Sequence, residues 1–270
     1  AIRPDHIDTA QTYNLLATSH ARAGDRKAAL AAYESARAIA VRFPEHKLLK
    51  QIDLNLGLLR LQGGEVEEAA AGFRELIERS VAAGDHGVAT AIAHHQLAKC
   101  LIQQEHYEEA ADHAAKAVQL HAANLGDDHP DQDLMLNLLG IAEVSLGQHE
   151  AARGRFARAI ELRDRRLPEG DDRTAYFEFE VGQALLKLGR TEEAVAHLER
   201  SAALRTRIFG DKHWRTAHVE GFLGEALAEN DTDPERAQEL ISRAAERLTE
   251  ILGAEDSRAV EARERLQEPR

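Results

Sequence analysis

Apolar and small residues recur along this chain at spacings of three and four, the periodicity of helical faces, and short polar turns interrupt them at regular intervals. The turns share one pattern: a residue that is often Gly, then acids, then a small residue, then a bulky residue four positions on. It reads Gly24-Asp25-Arg26-Lys27-Ala28-Ala29 with Tyr33, Gly64-Glu65-Val66-Glu67-Glu68-Ala69 with Phe73, and Glu105-His106-Tyr107-Glu108-Glu109-Ala110 with Ala114. It continues as Gly147-Gln148-His149-Glu150-Ala151-Ala152 with Phe156, Gly189-Arg190-Thr191-Glu192-Glu193-Ala194 with Leu198, and Asp231-Thr232-Asp233-Pro234-Glu235-Arg236-Ala237 with Ile241. The key alanines 29, 69, 110, 152, 194 and 237 are separated by 40, 41, 42, 42 and 43 residues. Twelve residues before the first five stand Ala17, Gly57, Ala98, Gly140 and Gly182, and Gly224 stands thirteen before the sixth, so that turn holds one extra residue.

This pattern predicts six pairs of antiparallel helices, A then B. Two helices approach closely only where the facing side chains are small, and the bulky residue fills the adjoining gap. Gly in the turn suits the left-handed backbone that ends a helix. The acids at the start of each B helix suit the positive end of its dipole, and Asp233-Pro234 reads as an N-cap followed by Pro at the first helical position.

On these residues the chain resembles the tetratricopeptide repeat family, whose usual period is about 34 residues. A period near 42 lengthens each helix by roughly one turn, and it resembles the kinesin-light-chain subtype. So does the linker Leu125-Gly126-Asp127-Asp128-His129-Pro130, with degraded copies beginning at Leu167, Phe209 and Leu252, and so do Asn55-Leu56-Gly57 and Asn137-Leu138-Leu139-Gly140 in helix A. Units 1 and 2 depart from it: their linkers, Phe43-Pro44-Glu45-His46 and Gly84-Asp85-His86, lack the full turn. The resemblance implies an all-α fold, a right-handed superhelical solenoid of antiparallel helix pairs. It forms a single array over residues 1–270, with units at 8–43, 47–83, 88–124, 130–167, 172–209 and 214–252 and a polar capping helix at 256–267.

The same resemblance puts helix A on the concave side of the array. Inward positions then include Asn14; Gln51, Asn55 and Gln62; Gln96, Lys99 and Gln103; Asn137; and Tyr176, Phe179, Gln183 and Lys187. Amides both donate and accept, so a run of them suits the backbone of an extended peptide, and Tyr176 and Phe179 would offer an apolar anchor. The basic clusters with which related proteins clamp acidic peptides are not evident at these positions.

Composition narrows the reading. Lys and Arg number 34 against 47 Asp and Glu, a net charge of −13, which opposes non-specific binding to nucleic acid. Eighteen of the 47 acids sit at helix starts, where the dipole favours them, so the charge says little about a partner. Six prolines leave long helices uninterrupted. No apolar run is long enough to insert in a membrane, and with no signal peptide the expected location is cytoplasmic. The opening at Ala1 in what reads as the tail of a repeat suggests a piece of a longer protein.

Candidate chemistry is sparse. Fourteen histidines invite a metal site, but none are spaced as ligands on one helix face, and no metal or other cofactor is expected. Cys100, alone in the chain, reads as a buried structural thiol. Arg153, Arg155, Arg158, Arg163, Arg165 and Arg166 read as a solvated helix face. No phosphate-binding Gly loop or catalytic constellation is present, so the expectation is a scaffold without catalysis whose partner is a protein or extended peptide, the oligomeric state left open. Two alternatives stand beside it. The final stretch resembles the C-terminal ends of bacterial Ser/Thr protein kinases that carry such arrays, which makes the chain a regulatory arm; or it is a receptor for a small signalling peptide.

Overall fold

The structure, a computed structural model, describes residues 6–44 and 46–267; Glu45, within one of the linkers, lies outside them. Among the described residues there are thirteen α-helices and no strand. By its contacts the chain divides into two compact units, Ala1–His129 and Pro130–Arg270. The first holds α1 (Ile7–Arg22), α2 (Arg26–Ala40), α3 (Lys47–Gln62), α4 (Val66–Ala82), α5 (Val88–Gln103) and α6 (Tyr107–Leu125). The second holds α7 (Gln132–Ser145), α8 (His149–Asp164), α9 (Asp172–Lys187), α10 (Thr191–Phe209), α11 (Trp214–Glu229), α12 (Pro234–Leu252) and the closing α13 (Ser257–Gln267). Odd-numbered helices α1 to α11 are the A helices and even-numbered ones the B helices, and each A helix packs most extensively on the B helix that follows it.

The turn between A and B takes one left-handed residue. It is Gly24, Gly64, Gly147 or Gly189 in four pairs, with φ between 70° and 80°. In the third pair Glu105 adopts φ 61°, and in the sixth Asp231 adopts φ 49°, although a side chain there costs about 1–2 kcal/mol. The sixth turn then inserts Thr232 before Asp233, whose carboxylate accepts from Arg236 N at 3.0 Å. The linkers after the B helices follow similar logic. Gly126, Gly210 and Gly253 close α6, α10 and α12 at φ 92°, 86° and 92°. In the fourth pair Pro168 occupies that position; proline bars the preceding residue from helix, α8 stops at Asp164, and the positive φ passes to Gly170.

What brings A and B together is a match of small against large. A Cβ on Gly57 would stand 2.5 Å from the Phe73 ring, one on Gly140 2.7 Å from Phe156, one on Gly182 2.6 Å from Leu198 and one on Gly224 2.7 Å from Ile241. Phe73, Phe156 and Leu198 are wholly buried, so these rings and branches occupy the space that the glycines leave. The third pair inverts the match: Ala98 stands where these four have Gly, and the B helix answers with Ala114, both with no exposed surface. In the first pair Ala17 accompanies Tyr33, whose hydroxyl lies 3.1 Å from Thr18 Oγ1.

Charge is also internal. Asp53, Glu178 and Glu220 sit four residues before the small position of their A helices and are nearly or fully buried. B-helix basic side chains answer them: Arg37 at 2.7 Å and Arg79 for Asp53, His197 at 2.6 Å and Arg200 for Glu178, Arg243 at 3.0 Å for Glu220. Exposed pairs such as Arg26–Glu65 (2.6 Å) and Arg74–Glu109 (2.9 Å) link B helices in the first unit, each contributing at most about 1 kcal/mol.

Gly140→Ala should lower unfolding free energy by about 1–3 kcal/mol, because the ring of Phe156 has nowhere to retreat. Gly154→Ala, in open space on the B helix of the same pair, should instead raise it by about 0.5–1 kcal/mol. Denaturant unfolding of the two variants against wild type checks both signs, and equal effects would remove the close-approach argument.

Candidate binding groove

The A-helix positions differ in what they offer. Asn14 and Phe179 are buried, 4% and 5% exposed. Phe179 packs against His218 and Phe222, with ring centroids 5.2 and 5.1 Å away, and under the Arg205 guanidinium at 4.7 Å. It is a core residue and not a surface anchor, because the aromatic residues of α11 cover it. In the first unit Gln51, Gln62, Lys99 and Gln103 are exposed, and Asn55 and Gln96 are half-buried, on α3 and α5. In the second unit Asn137, Tyr176 and Gln183 are half-buried and Lys187 exposed.

Four of these residues are brought to concave space in the second unit. Asn137 and Tyr176 line a cleft of about 280 Å³ with Asp172, Arg173, Arg205 and Arg215. Gln183 and Lys187 line a cavity of about 540 Å³ with Glu180, Phe222, Glu225 and Arg265. Positions 176, 180, 183 and 187 are spaced four, three and four apart, so one stripe of α9 runs past both openings. The Tyr176 hydroxyl donates to Glu180 and joins them.

The two openings carry opposite charge. Three arginines face Asp172 in the first. In the second, carboxylates from Glu180, Glu225, Glu229 and Glu261 face Lys187 and Arg265, and Arg265 is engaged with Glu225 at 2.6 Å while stacking on Phe222 at 3.8 Å. Burial pushes the Glu180 carboxyl up to about 7, against the opposing pull of Tyr176 and Arg205. Burial likewise lowers Arg205 to about 10, so it stays charged at neutral pH, and holds His218 down at about 3.

Arg173, Glu180 and Arg215 lie on A helices beside the expected inward positions, and Arg265 lies on the closing helix. Arg205 comes from a B helix. A signal existed: eleven residues after each key alanine stand Ala40, Ser80, His121, Arg163, Arg205 and Leu248, all buried. An arginine at a buried position held elsewhere by Ala, Ser, His or Leu marks something unusual. Arg163 is the other case, and it corrects the solvated-face reading: it is 8% exposed and bridges Asp133 at 2.7 Å and Asp171. Arg153, Arg155, Arg158 and Arg165 are ion-paired near the surface.

The histidines also meet in a way that spacing along one helix misses. His94 Nδ1 and His113 Nδ1 lie 2.8 Å apart across α5 and α6, and burial lowers both pKa values, His94 to about 4. Among the described residues no three His, Cys, Asp or Glu side chains gather as a metal site. Cys100 is buried, and its thiol is pushed up to about 11, chiefly by desolvation. Among the described residues no helix is long and apolar enough to cross a membrane.

A family model of the tetratricopeptide repeat matches residues 90–165 and 173–250, and two further models of that repeat match residues 9–42 and 52–80. Similar solved structures include BtubC (BKLC) from P. vanneervenii, 19% identical with a TM-score of 0.66, covering 83% of this chain and 91% of that one. Another is "kinesin light chain nearly identical TPR-like repeats" from Podosopora anserina, 19% identical with a TM-score of 0.63, covering 75% and 95%. YrrB, described as a TPR protein with an unusual peptide-binding site, is 22% identical with a TM-score of 0.55, covering 79% and 91%. At these identities the likeness establishes the fold. No curated protein matches the chain in sequence.

Glu180 generates a pH test. Its folded pKa of about 7 lies above the ordinary 4.5, so at low pH both folded and unfolded states hold the proton. Between the two values only the unfolded chain releases it, and the stability conferred by the neutral carboxyl is lost as pH rises through 7. Glu180→Gln, which cannot ionise, should match wild type near pH 4.5 and exceed it at pH 8 by up to about 3 kcal/mol. Denaturant unfolding at the two pH values reads this, and a constant difference would mean that Glu180 titrates as an exposed acid.

Proposed function

The chain belongs to the tetratricopeptide repeat family, and we propose that it is a protein- or peptide-binding scaffold whose A-helix face in the second unit captures an extended segment. One observation carries this reading. A single stripe of α9, Tyr176, Glu180, Gln183 and Lys187, passes two adjoining concavities and presents amide, hydroxyl, carboxyl and ammonium groups to them. An extended peptide exposes one donor and one acceptor per residue, and mixed groups of this kind are what such a backbone requires. Packing alone does not call for them.

On this reading Asn137, Tyr176, Gln183 and Lys187 contact the partner directly. Gln51, Asn55, Gln62, Gln96, Lys99 and Gln103 form a second polar surface on the A helices of the first unit. Asn14 and Phe179 support from beneath. The chain contributes binding and no chemistry of its own. The raised pKa of the Cys100 thiol supports that assignment, since a nucleophilic cysteine needs the opposite shift. The repeat itself supports it too: the similar protein YrrB is described by its peptide-binding site.

Affinity capture from the native source, quantified by mass spectrometry, should recover partners with wild type that a Gln183→Ala/Lys187→Ala variant loses. A Glu246→Ala control on α12 should retain them. A synthetic peptide from the recovered partner should then bind the double variant about tenfold more weakly, as loss of two interfacial polar contacts implies. Equal recovery by both variants would reject the α9 face as the binding surface.

A further inference from the structure

Arg205 carries a buried charge that no carboxylate touches, attracted only from a distance by Asp172 and Glu180. It is 5% exposed, at the repeat position where the preceding pair places Arg163 between Asp133 and Asp171. Arg205 has no such carboxylate. One of its terminal nitrogens donates to the Arg215 carbonyl oxygen at 3.0 Å, the guanidinium lies over the Phe179 ring, and Nε has no hydrogen-bond partner. A buried cation with no carboxylate in contact is costly, and Arg205 stays protonated at neutral pH because burial lowers it only to about 10.

In the cleft that Arg205 lines, Arg173 and Arg215 stand beside it. Arg173 reaches Asp133 at 3.3 Å, behind the cleft and already held by Arg163, and Arg215 reaches Asp172 at 3.1 Å. Asp172 is the single carboxylate among the lining residues, and with Asp133 set against Arg173 the charge left without an ion pair is Arg205's own. A second orphan belongs to a residue of the same lining: Asn137 Oδ1 is buried and has no donor. The cleft is therefore short of an anion and of one N–H at once. A phosphorylated residue within a peptide supplies both, two negative charges on three acceptor oxygens and a main-chain amide nearby. A carboxylate would bring two acceptor oxygens to three guanidiniums, where a phosphate brings three.

We propose that this cleft receives the phosphate of a phosphorylated side chain on the captured segment, with Arg205 as its buried donor, Arg173 and Arg215 flanking it, and Asn137 accepting a main-chain N–H of that segment. The assignment rests on the reading of the α9 face as the partner-binding surface and names the chemistry recognised at one end of it. The opposite charge of the neighbouring cavity then favours a basic side chain further along the segment, about 10–15 Å away at 1.5 Å of helix rise per residue of α9. That is three to five residues of extended peptide, at about 3.3–3.6 Å each.

The chain's one tryptophan, Trp214, adjoins Arg215, whose guanidinium lies 5.3 Å from its ring, and its fluorescence provides the readout. End-capped phosphoserine peptides carrying a lysine four residues away should quench or shift it saturably. The unphosphorylated peptide should not, the glutamate analogue should bind at least about tenfold more weakly, and inorganic phosphate should compete at constant ionic strength. Arg205→Met should lose phosphopeptide binding while its melting temperature stays level or rises, since an unpaired buried charge is removed. Arg173→Gln, at a half-exposed position, should weaken binding with an unchanged melting temperature, which keeps the test decisive if Arg205→Met fails to fold. Equal affinity for phosphoserine and glutamate peptides, or undiminished binding by Arg173→Gln, would overturn the phosphate site. If that happens while Gln183→Ala/Lys187→Ala still loses its partner, the scaffold reading stands without it; loss of neither removes both.

Discussion

Everything in this protein depends on how closely an A helix can approach its B helix. That distance is set by pairs in which one side chain is absent: Gly57 against Phe73, Gly140 against Phe156, Gly182 against Leu198, Gly224 against Ile241. Glycine inside a helix weakens it by about 0.5–1 kcal/mol relative to alanine, yet four helices accept one, because the ring or branch that fills the space buries more than the glycine forfeits. The Ala98–Ala114 pair shows that the requirement is on the sum of the two volumes and not on either residue. Turns and linkers are subordinate to this contact. Glu105 and Asp231 adopt left-handed backbone because pairs already held in register over-determine the turn between them.

Tight pairing has a consequence for charge. With few large apolar residues available, positions on the paired faces fall to Asp53, Glu178 and Glu220, each answered by arginine or histidine from the following B helix, and Asp53 by Arg37 of the preceding one as well. Ion pairs of this kind position helices more than they stabilise them. Each internal pair of an acid with an arginine cancels one charge of each sign and leaves the net charge of −13 unchanged; against that background the arginines around Arg205 form a local patch of the opposite sign.

The groove was legible in part. Asn137, Tyr176, Gln183 and Lys187 follow from counting along helix A, because a period of 3.6 fixes which residues share a face. Phe179 shows where counting fails. It shares α9 with them, but a quarter-turn decides between solvent and the aromatic residues of α11, and that depends on how α11 lies across it. Arg205 was legible in principle as a cation at a buried repeat position. What could not be read was whether an acid stood opposite, since Arg163 occupies the same position and is fully paired.

By itself the sequence determined the helix pairs, their period, the small-against-large contact and the positions of the turns, because each rests on interactions within about 42 residues and recurs six times. Tertiary structure alone decided which polar residues face open space, which charges find partners and where Glu180 acquires a pKa near 7. Those properties arise between repeats. Desolvation and charge pairing depend on distances across helices that are remote in sequence, and no periodicity along one chain encodes them.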